Sequence, residues 1–183
     1  INNTNKTTVT LNIVGESGAT YNYSIEDATP GSPVTGTGTL TGGDLTVSSI
    51  NVTSLDDGTL TATVTLTDAA GNTSAAGIDT ATKDTVAPTA TAAVVPSTGT
   101  AIVDETITVT FTAGGAQNDL ALGGTCVAND FDVSGSFTNN SDGTYTVTYL
   151  VKEGDDDQTA GNVPVSCTLS EPAGNTVTVS SFD

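Results

Sequence analysis

Carboxylates are the side chains with which this sequence could do chemistry. It has 21 Asp and Glu residues against three lysines, no arginine and no histidine, and its formal net charge is −18. Without histidine, a Ser-His-Asp or Cys-His nucleophile lacks its base. Oxygen ligands without imidazole favour Ca²⁺ over a transition metal. The residue types therefore point to the binding of a hard cation and not to nucleophilic catalysis.

Two carboxylates could also hydrolyse a glycosidic bond, one as the acid and the other as the base. Such a site also needs a cleft with aromatic rings that stack on the sugar. The sequence has no tryptophan, and its eight Phe and Tyr residues fall mostly on inward strand positions. We therefore expect that the protein is not an enzyme.

The charge also limits the partners of the chain. Nucleic acids and anionic membrane surfaces are bound through clustered cations, and three lysines cannot form such a cluster. The sequence has no run of 18 or more apolar residues and no signal peptide. We expect no nucleic acid partner and no insertion into a membrane.

The elements that position the carboxylates are β-strands. Residues 57–72 read as a turn, a strand and a second turn, and the strand has an aliphatic face formed by Leu60, Ala62, Val64 and Leu66. Threonines occupy its other face, which is typical of a half-buried antiparallel strand. A second copy of this Asp-Gly entry and alternation begins at Asp142, and no segment has the apolar period of a helix. The sequence predicts an all-β fold of two tandem immunoglobulin-like antiparallel β-sandwiches.

The linker around Pro88 divides the chain into predicted domains 1–86 and 87–183. Strands are predicted in the first domain at 8–13, 19–25, 34–40, 45–52, 60–66 and 76–82. In the second domain they are predicted at 89–95, 106–112, 126–133, 144–151, 163–169 and 176–179, with a loop at 114–124. Residues 1–6 are too short and polar for an opening strand, so we expect the first strand of the first domain to be missing.

Aromatic residues are distributed unevenly between the two domains. Tyr21 and Tyr23 are the only ones before residue 100. The first domain must build its core from aliphatic side chains and threonine methyls, which bury less area than rings do. We expect it to be the less stable of the two.

One candidate Ca²⁺ site lies at the junction of the domains. In a sandwich of alternating strands, the turn at Asp56 and Asp57 falls at the same end as Asp84, and Glu171 begins a turn at the facing end of the second domain. These four carboxylates could converge on one interdomain site. The alternative is a solvated acidic rim.

A second acidic group is the run Asp155, Asp156 and Asp157. A cation could relieve the repulsion among three adjacent carboxylates, but the run lacks the spacing and the Gly-x₅-Glu end of an EF-hand loop. A plain acidic loop is the alternative. The Ala-Gly-Asn sequences that begin at Ala70, Ala160 and Ala173 are interpreted as turns, since Gly and Asn tolerate a positive φ.

Four stretches carry a resemblance to a known family. They are Val-Thr-Gly-Thr-Gly-Thr-Leu at 34–40, Asp-Gly-Thr-Leu-Thr-Ala at 57–62, Thr-Asp-Ala-Ala-Gly-Asn at 67–72 and Lys-Asp-Thr-Val-Ala-Pro at 83–88. Together they resemble the bacterial immunoglobulin-like (BIg-type) repeats of large secreted or surface-anchored adhesins and biofilm-associated proteins. The resemblance covers residues 1–86 almost throughout and is weaker in the second domain. It implies an extracellular or cell-surface location, a non-catalytic spacer role, adjacent repeats as partners and Ca²⁺ in the linkers.

Cys126 and Cys167 depart from the pattern of such repeats, which are commonly free of cysteine. Cys167 shares the inward face of its strand with Val163, Val165 and Leu169. In a chain that looks exported, an even pair of cysteines predicts a disulfide. The alternative is two free thiols.

Two other functions stay open beside the spacer. The insertion at 152–162 and the cysteines favour a binding module whose loops contact a glycan or a host protein. The missing first strand favours a self-associating subunit of a surface layer or filament, because a neighbouring chain could supply that strand.

Overall fold

The computed structural model describes residues 1–29, 31–95, 101–158 and 162–181. The chain divides into two compact units, Ile1–Val86 and Ala87–Asp183, which are described separately. Within the described residues there are fourteen strands, two short 3₁₀ turns and no α-helix. The predicted all-β fold is confirmed. That each unit folds as an independent domain stays a prediction.

All six strands that were predicted for the first unit are present, within two residues at each end. They are β1 (Val9–Val14), β2 (Thr20–Glu26), β3 (Val34–Thr39), β4 (Asp44–Ile50), β5 (Gly58–Thr67) and β6 (Gly77–Lys83). β1 and β4 form a two-stranded antiparallel sheet. The other sheet has the order β3-β2-β5-β6.

The core of the first unit lies between these sheets and falls into two clusters. One is built around Ile25, Val52 and Leu60, and the other around Ile13, Tyr21 and Leu40. The aliphatic face of β5 contributes to both, but beyond Leu60 both faces of the strand are half-buried. The strand is therefore less one-sided than its alternation predicts.

The second unit also has two sheets. Its strands are β7 (Ala90–Val95), β8 (Thr106–Ala113), β9 (Ala121–Ala128), β10 (Phe131–Asp132), β11 (Thr138–Asn139), β12 (Thr144–Leu150), β13 (Val165–Ser170) and β14 (Thr176–Ser181). The sheet orders are β11-β12-β8-β7 and β10-β9-β13-β14. This is the strand order of an immunoglobulin-like sandwich. One continuous core fills it, with Phe111 and Tyr145 fully buried at its centre.

Two strand predictions in this unit are wrong. The strand that begins after Asp142, β12, does not repeat β5, because the sheet orders make β13 the equivalent of β5. The second error concerns β9. The sequence predicted a loop at 114–124 and a strand at 126–133, whereas β9 begins at Ala121 and ends at Ala128. Asn129 and Asp130 then turn the chain with φ angles of 47° and 66°. Gly123 lies so close to β13 that a Cβ there would come within 3.0 Å of the Ser170 Cβ. Pairing with β13, which no local pattern reveals, makes this glycine-rich segment a strand.

Candidate functional site

The predicted junction carboxylates of the first unit lie where β5 begins and β6 ends. Gly58 pairs with Lys83 across the two strands, which brings the side chains of Asp57 and Lys83 together. The distance from Lys83 Nζ to Asp57 Oδ1 is 3.1 Å. Lys83 is 4% exposed and also donates to the carbonyl oxygen of Leu55 at 2.5 Å. A buried ammonium therefore stands beside Asp57.

Thr85 completes the set of partners around Asp57. Its backbone N–H and its hydroxyl donate to Asp57 Oδ2 at 2.8 Å and 2.9 Å. The N–H of Thr85 and then the hydrogen bond and charge of Lys83 hold the pKa of the Asp57 carboxyl below its usual value. The carboxylate is thus kept ionised by groups of its own unit.

This arrangement does not suit a Ca²⁺ ion at Asp57. A divalent cation there would be repelled by the Lys83 ammonium and would have to displace the Thr85 donors. Of the neighbouring carboxylates, Asp84 accepts a hydrogen bond from the N–H of Val86 at 3.0 Å. The backbone N–H of Asp56 donates to Asp27 Oδ2 at 2.6 Å. Within the first unit, the ammonium of Lys83 thus supplies a positive charge to Asp57.

Glu171 lies in the second unit, 8% exposed, and closes a turn. Its carboxylate accepts a hydrogen bond from the Asn175 side chain, and its backbone N–H donates to the Asn175 carbonyl at 3.1 Å. The Gln117 side chain donates to its other carboxylate oxygen at 3.5 Å. The four-carboxylate site of Asp56, Asp57, Asp84 and Glu171 stays a prediction, and the carboxylates of three members, Asp57, Asp84 and Glu171, accept hydrogen bonds within their own units.

The turn at Glu171 has a counterpart in the first unit. Asp68 accepts from the backbone N–H groups of Ala70 and Asn72 at 2.9 Å and 2.8 Å, and from the Asn72 side chain at 2.8 Å. Gly71 and Gly174 both have φ +90°. The predicted turn role of these two Ala-Gly-Asn sequences is confirmed. The third, at 160–162, lies mostly outside the described residues.

Asp155 anchors the insertion. Its carboxylate accepts hydrogen bonds from the Tyr149 hydroxyl and from the Lys152 N–H, the latter at 2.7 Å. These two donors, the hydroxyl first, hold the pKa of the Asp155 carboxyl below its usual value, while burial raises the pKa of Tyr149. A Ca²⁺ ion would have to compete with both donors.

Asn129 also holds this insertion, which no pattern in the sequence predicted. It is 5% exposed, and its side chain donates to the Tyr149 hydroxyl at 3.1 Å and to the Asp156 carbonyl at 3.2 Å. The sequence shows it only as a polar residue beside a turn. Asp156 and Asp157 as metal ligands stay a prediction. Within residues 1–29, 31–95, 101–158 and 162–181, no group of three or more His, Cys, Asp or Glu side chains could hold a metal ion.

Cys126 and Cys167 form a disulfide. They lie directly opposite each other in β9 and β13, and both are fully buried. Val163, Val165 and Leu169 are buried beside Cys167, as the alternation predicted. The bridge ties two strands of one sheet.

Comparison with known proteins gives structural matches only. No protein-family model matches the sequence, and no curated protein does. One solved structure comes from work on host cell surface retention of a 1.5-MDa bacterial ice-binding adhesin; it is 22% identical, with a TM-score of 0.51. That match covers 99% of this chain and 58% of the other, so the chain spans little more than half of that structure.

Two further matches are also adhesins. A Ca²⁺-stabilized adhesin, with which an Antarctic bacterium reaches out and binds ice, is 24% identical with a TM-score of 0.45, over 100% of this chain and 45% of the other. The tetra-tandem repeat in the extending region of a large adhesion protein is 20% identical with a TM-score of 0.40, over 97% and 46%. These two TM-scores are too low to carry an argument. The strand content and sheet orders define the class, which is an all-β protein of immunoglobulin-like type.

Among the residues that the structure describes, no helix has the length and apolar character needed to cross a bilayer.

Proposed function

We propose that this chain is a pair of non-catalytic spacer repeats from a secreted or cell-surface bacterial adhesin. The observation that carries the proposal is the shared framework of the two units. Each has two facing antiparallel sheets, and each closes the same end of a core strand with an acidic residue that bonds to Asn four residues later. Adjacent repeats of the same kind are the expected partners.

The proposal includes Ca²⁺ binding at only some of the carboxylates that the sequence suggested. The resemblance implies Ca²⁺ in the linkers, but Lys83 already neutralises Asp57, and Glu171 is committed to its turn. Stiffening by Ca²⁺ would therefore have to depend on exposed carboxylates such as Asp56, Asp156 and Asp157. Because a ligand that binds only the folded state raises stability, the melting temperature with Ca²⁺ and with chelator tests this part separately.

The spacer function can be tested by measuring the distance that the chain spans. One, two and four copies of the 183-residue chain are placed between a cell-surface anchor and a fluorescent tag, and the height of the tag above the membrane is measured by interference microscopy. A stiff repeat raises the tag in proportion to the number of copies. A Gly/Ser linker of matched length is the control, since the reach of a flexible chain grows only with about the square root of its length.

Growth of the tag height with the square root of copy number would contradict the proposal. So would specific binding of the isolated chain to glycan or host-protein arrays, because a spacer has no ligand of its own.

A binding module is the second candidate function. Phe131 is 44% exposed, its ring stacks on Tyr149 with centroids 5.7 Å apart, and the two line a hollow of about 290 Å³ beside Lys152 and Asp155. An exposed ring next to charged groups suits the face of a sugar. Array binding that is lost in Phe131→Ala and kept in Val86→Ala, another exposed apolar residue, would favour this function over the spacer.

A further inference from the structure

The first unit has a groove between the edges of its two sheets. β1 pairs with β4 on one side only, and β6 is the last strand of the other sheet. Between them lies a groove of about 580 Å³, lined by Leu11, Ile13, Val64, Leu66 and Ile78 among others. Ile78 is 70% exposed and Val14, at the end of β1, is 74% exposed. Apolar side chains and two strand edges thus face the same opening.

In the second unit a strand lies at the same seam, hydrogen-bonded to the edge that is equivalent to β1 and not to the edge that is equivalent to β6. By strand order, β8 and β12 correspond to β1 and β4, and β14 corresponds to β6. β7 pairs antiparallel with the outer edge of β8, from Ala90 opposite Ala113 to Val95 opposite Thr108. It also runs beside β14 and so closes the seam between the sheets. In the described part of the first unit, no strand takes that place.

Ile1 shows how a strand would enter the groove. Its nitrogen donates to the carbonyl oxygen of Thr82 at 2.7 Å, and its carbonyl accepts from the N–H of Asp84 at 2.8 Å. Bonds to two residues that flank a third are the pattern of a parallel ladder, here with Lys83. Ile1 also packs against the apolar cluster around Leu60. An extended chain leading into Ile1 would therefore run parallel to β6, past Thr80 and Ile78.

We propose that this groove accepts an extended strand joined directly to the nitrogen of Ile1, with small apolar residues at every second position. Continuing the ladder from Ile1, the residue four positions earlier would bond to the N–H of Thr80 and the carbonyl of Ile78. The same parity that turns Ile1 inward would direct every second residue of the strand onto Leu11 and Ile13. This inference does not depend on the spacer function.

Without such a strand, a local hydrogen bond and a charged side chain cover the exposed edge of β6. The N–H of Thr80, which points outward along the edge, donates to the carboxylate of its neighbour Asp79 at 2.8 Å. A charged side chain on an edge strand discourages pairing with other chains. The docked strand would replace this local bond with a ladder bond.

The test adds the strand to the full chain. The sequence of residues 89–95, Thr-Ala-Thr-Ala-Ala-Val-Val, is fused directly before Ile1, which places the residues equivalent to Ala90, Ala92 and Val94 on the inward parity. A matched control carries Asp at those three positions. Amide hydrogen exchange at Ile78 and Thr80, the melting temperature and the molar mass are measured for both fusions and for the chain without a fusion.

The proposal predicts that the fusion is a monomer. Relative to the chain without a fusion, amide exchange at Thr80 should slow at least ~10-fold, and the midpoint of the first thermal unfolding transition should rise by about 4 °C or more. The control fusion should show neither change. Equal exchange in all three proteins would overturn the proposal. Protection that appears only in a dimer would overturn it as well, because the strand would then come from a second copy.

Discussion

At the scale of single residues, a buried lysine supplies the positive charge beside Asp57. Lys83 is one of three lysines in the chain, and it lies buried between Asp57 and the carbonyl of Leu55. The sequence could predict that the carboxylates at the start of β5 and the end of β6 lie close together, because they occur at regular positions around the strand ends. Lys83 could have been found as well, since a lone cation at the end of a strand beside acidic turns suggests an internal ion pair.

Replacing Lys83 should destabilise the first unit. Lys83→Met keeps most of the side-chain volume but leaves Asp57 without its counter-ion and Leu55 without its donor, which should cost about 2 kcal/mol of unfolding free energy. Urea unfolding measures the change. Lys152→Met, at an exposed lysine, is the control and should change stability by less than about 0.5 kcal/mol. Equal effects of the two substitutions would contradict the assignment of Lys83.

The Asp68 turn should make stability depend on pH. Hydrogen bonds from the Asn72 side chain and backbone hold the pKa of the Asp68 carboxyl below its usual value. A group with a lowered folded pKa stabilises above its unfolded pKa of about 3.9, and this contribution is lost as the pH falls through the folded pKa. The stability difference between the wild type and Asp68→Asn, measured by urea unfolding, should therefore shrink as the pH falls from 7 to below 4. A difference that stays constant over this range would contradict the role of the charge.

At the scale of elements, the sequence predicts strands well where threonines alternate with aliphatic residues. It fails at β9, whose start is glycine-rich, because the neighbour that makes it a strand, β13, comes more than forty positions later. The sequence also does not explain why β3 contains two glycines. The structure supplies the reason: Tyr21 lies opposite Gly38 and Tyr23 lies opposite Gly36. The two rings lie over β3, and the missing side chains leave the space for them.

A side chain at Gly38 should displace a ring of the first unit. A Cβ there would lie 2.5 Å from the Tyr21 hydroxyl oxygen, and Tyr21 is buried. Gly38→Val should therefore destabilise the unit by roughly 1–3 kcal/mol and change the near-ultraviolet circular dichroism of its tyrosines. Gly42→Val is the control, because the nearest atom to its Cβ would be 3.8 Å away. An unchanged tyrosine signal in Gly38→Val would contradict this account of β3.

At the scale of the whole molecule, the all-β class and the two-sheet framework follow from the sequence because they depend on a local period of two. The sequence does not predict that β1 pairs with β4 and with no other strand, since no local pattern shows which edge of a strand is hydrogen-bonded to a neighbour. That the first unit is the less stable one stays a prediction; among the described residues its core is split into two clusters, whereas the second unit has one. The net charge of −18 adds self-repulsion to both.

The central claim is that Ile1–Val86 and Ala87–Asp183 are two immunoglobulin-like repeats that fold independently, and single-molecule pulling from the ends of the chain tests it most directly. We expect two unfolding events: about 30 nm of chain released from Ile1–Val86 at lower force, and about 20 nm from the second unit, where the disulfide withholds a loop of 41 residues. Reductant should lengthen only the second event, by about 15 nm. A single event, or smooth extension without force peaks, would contradict the account.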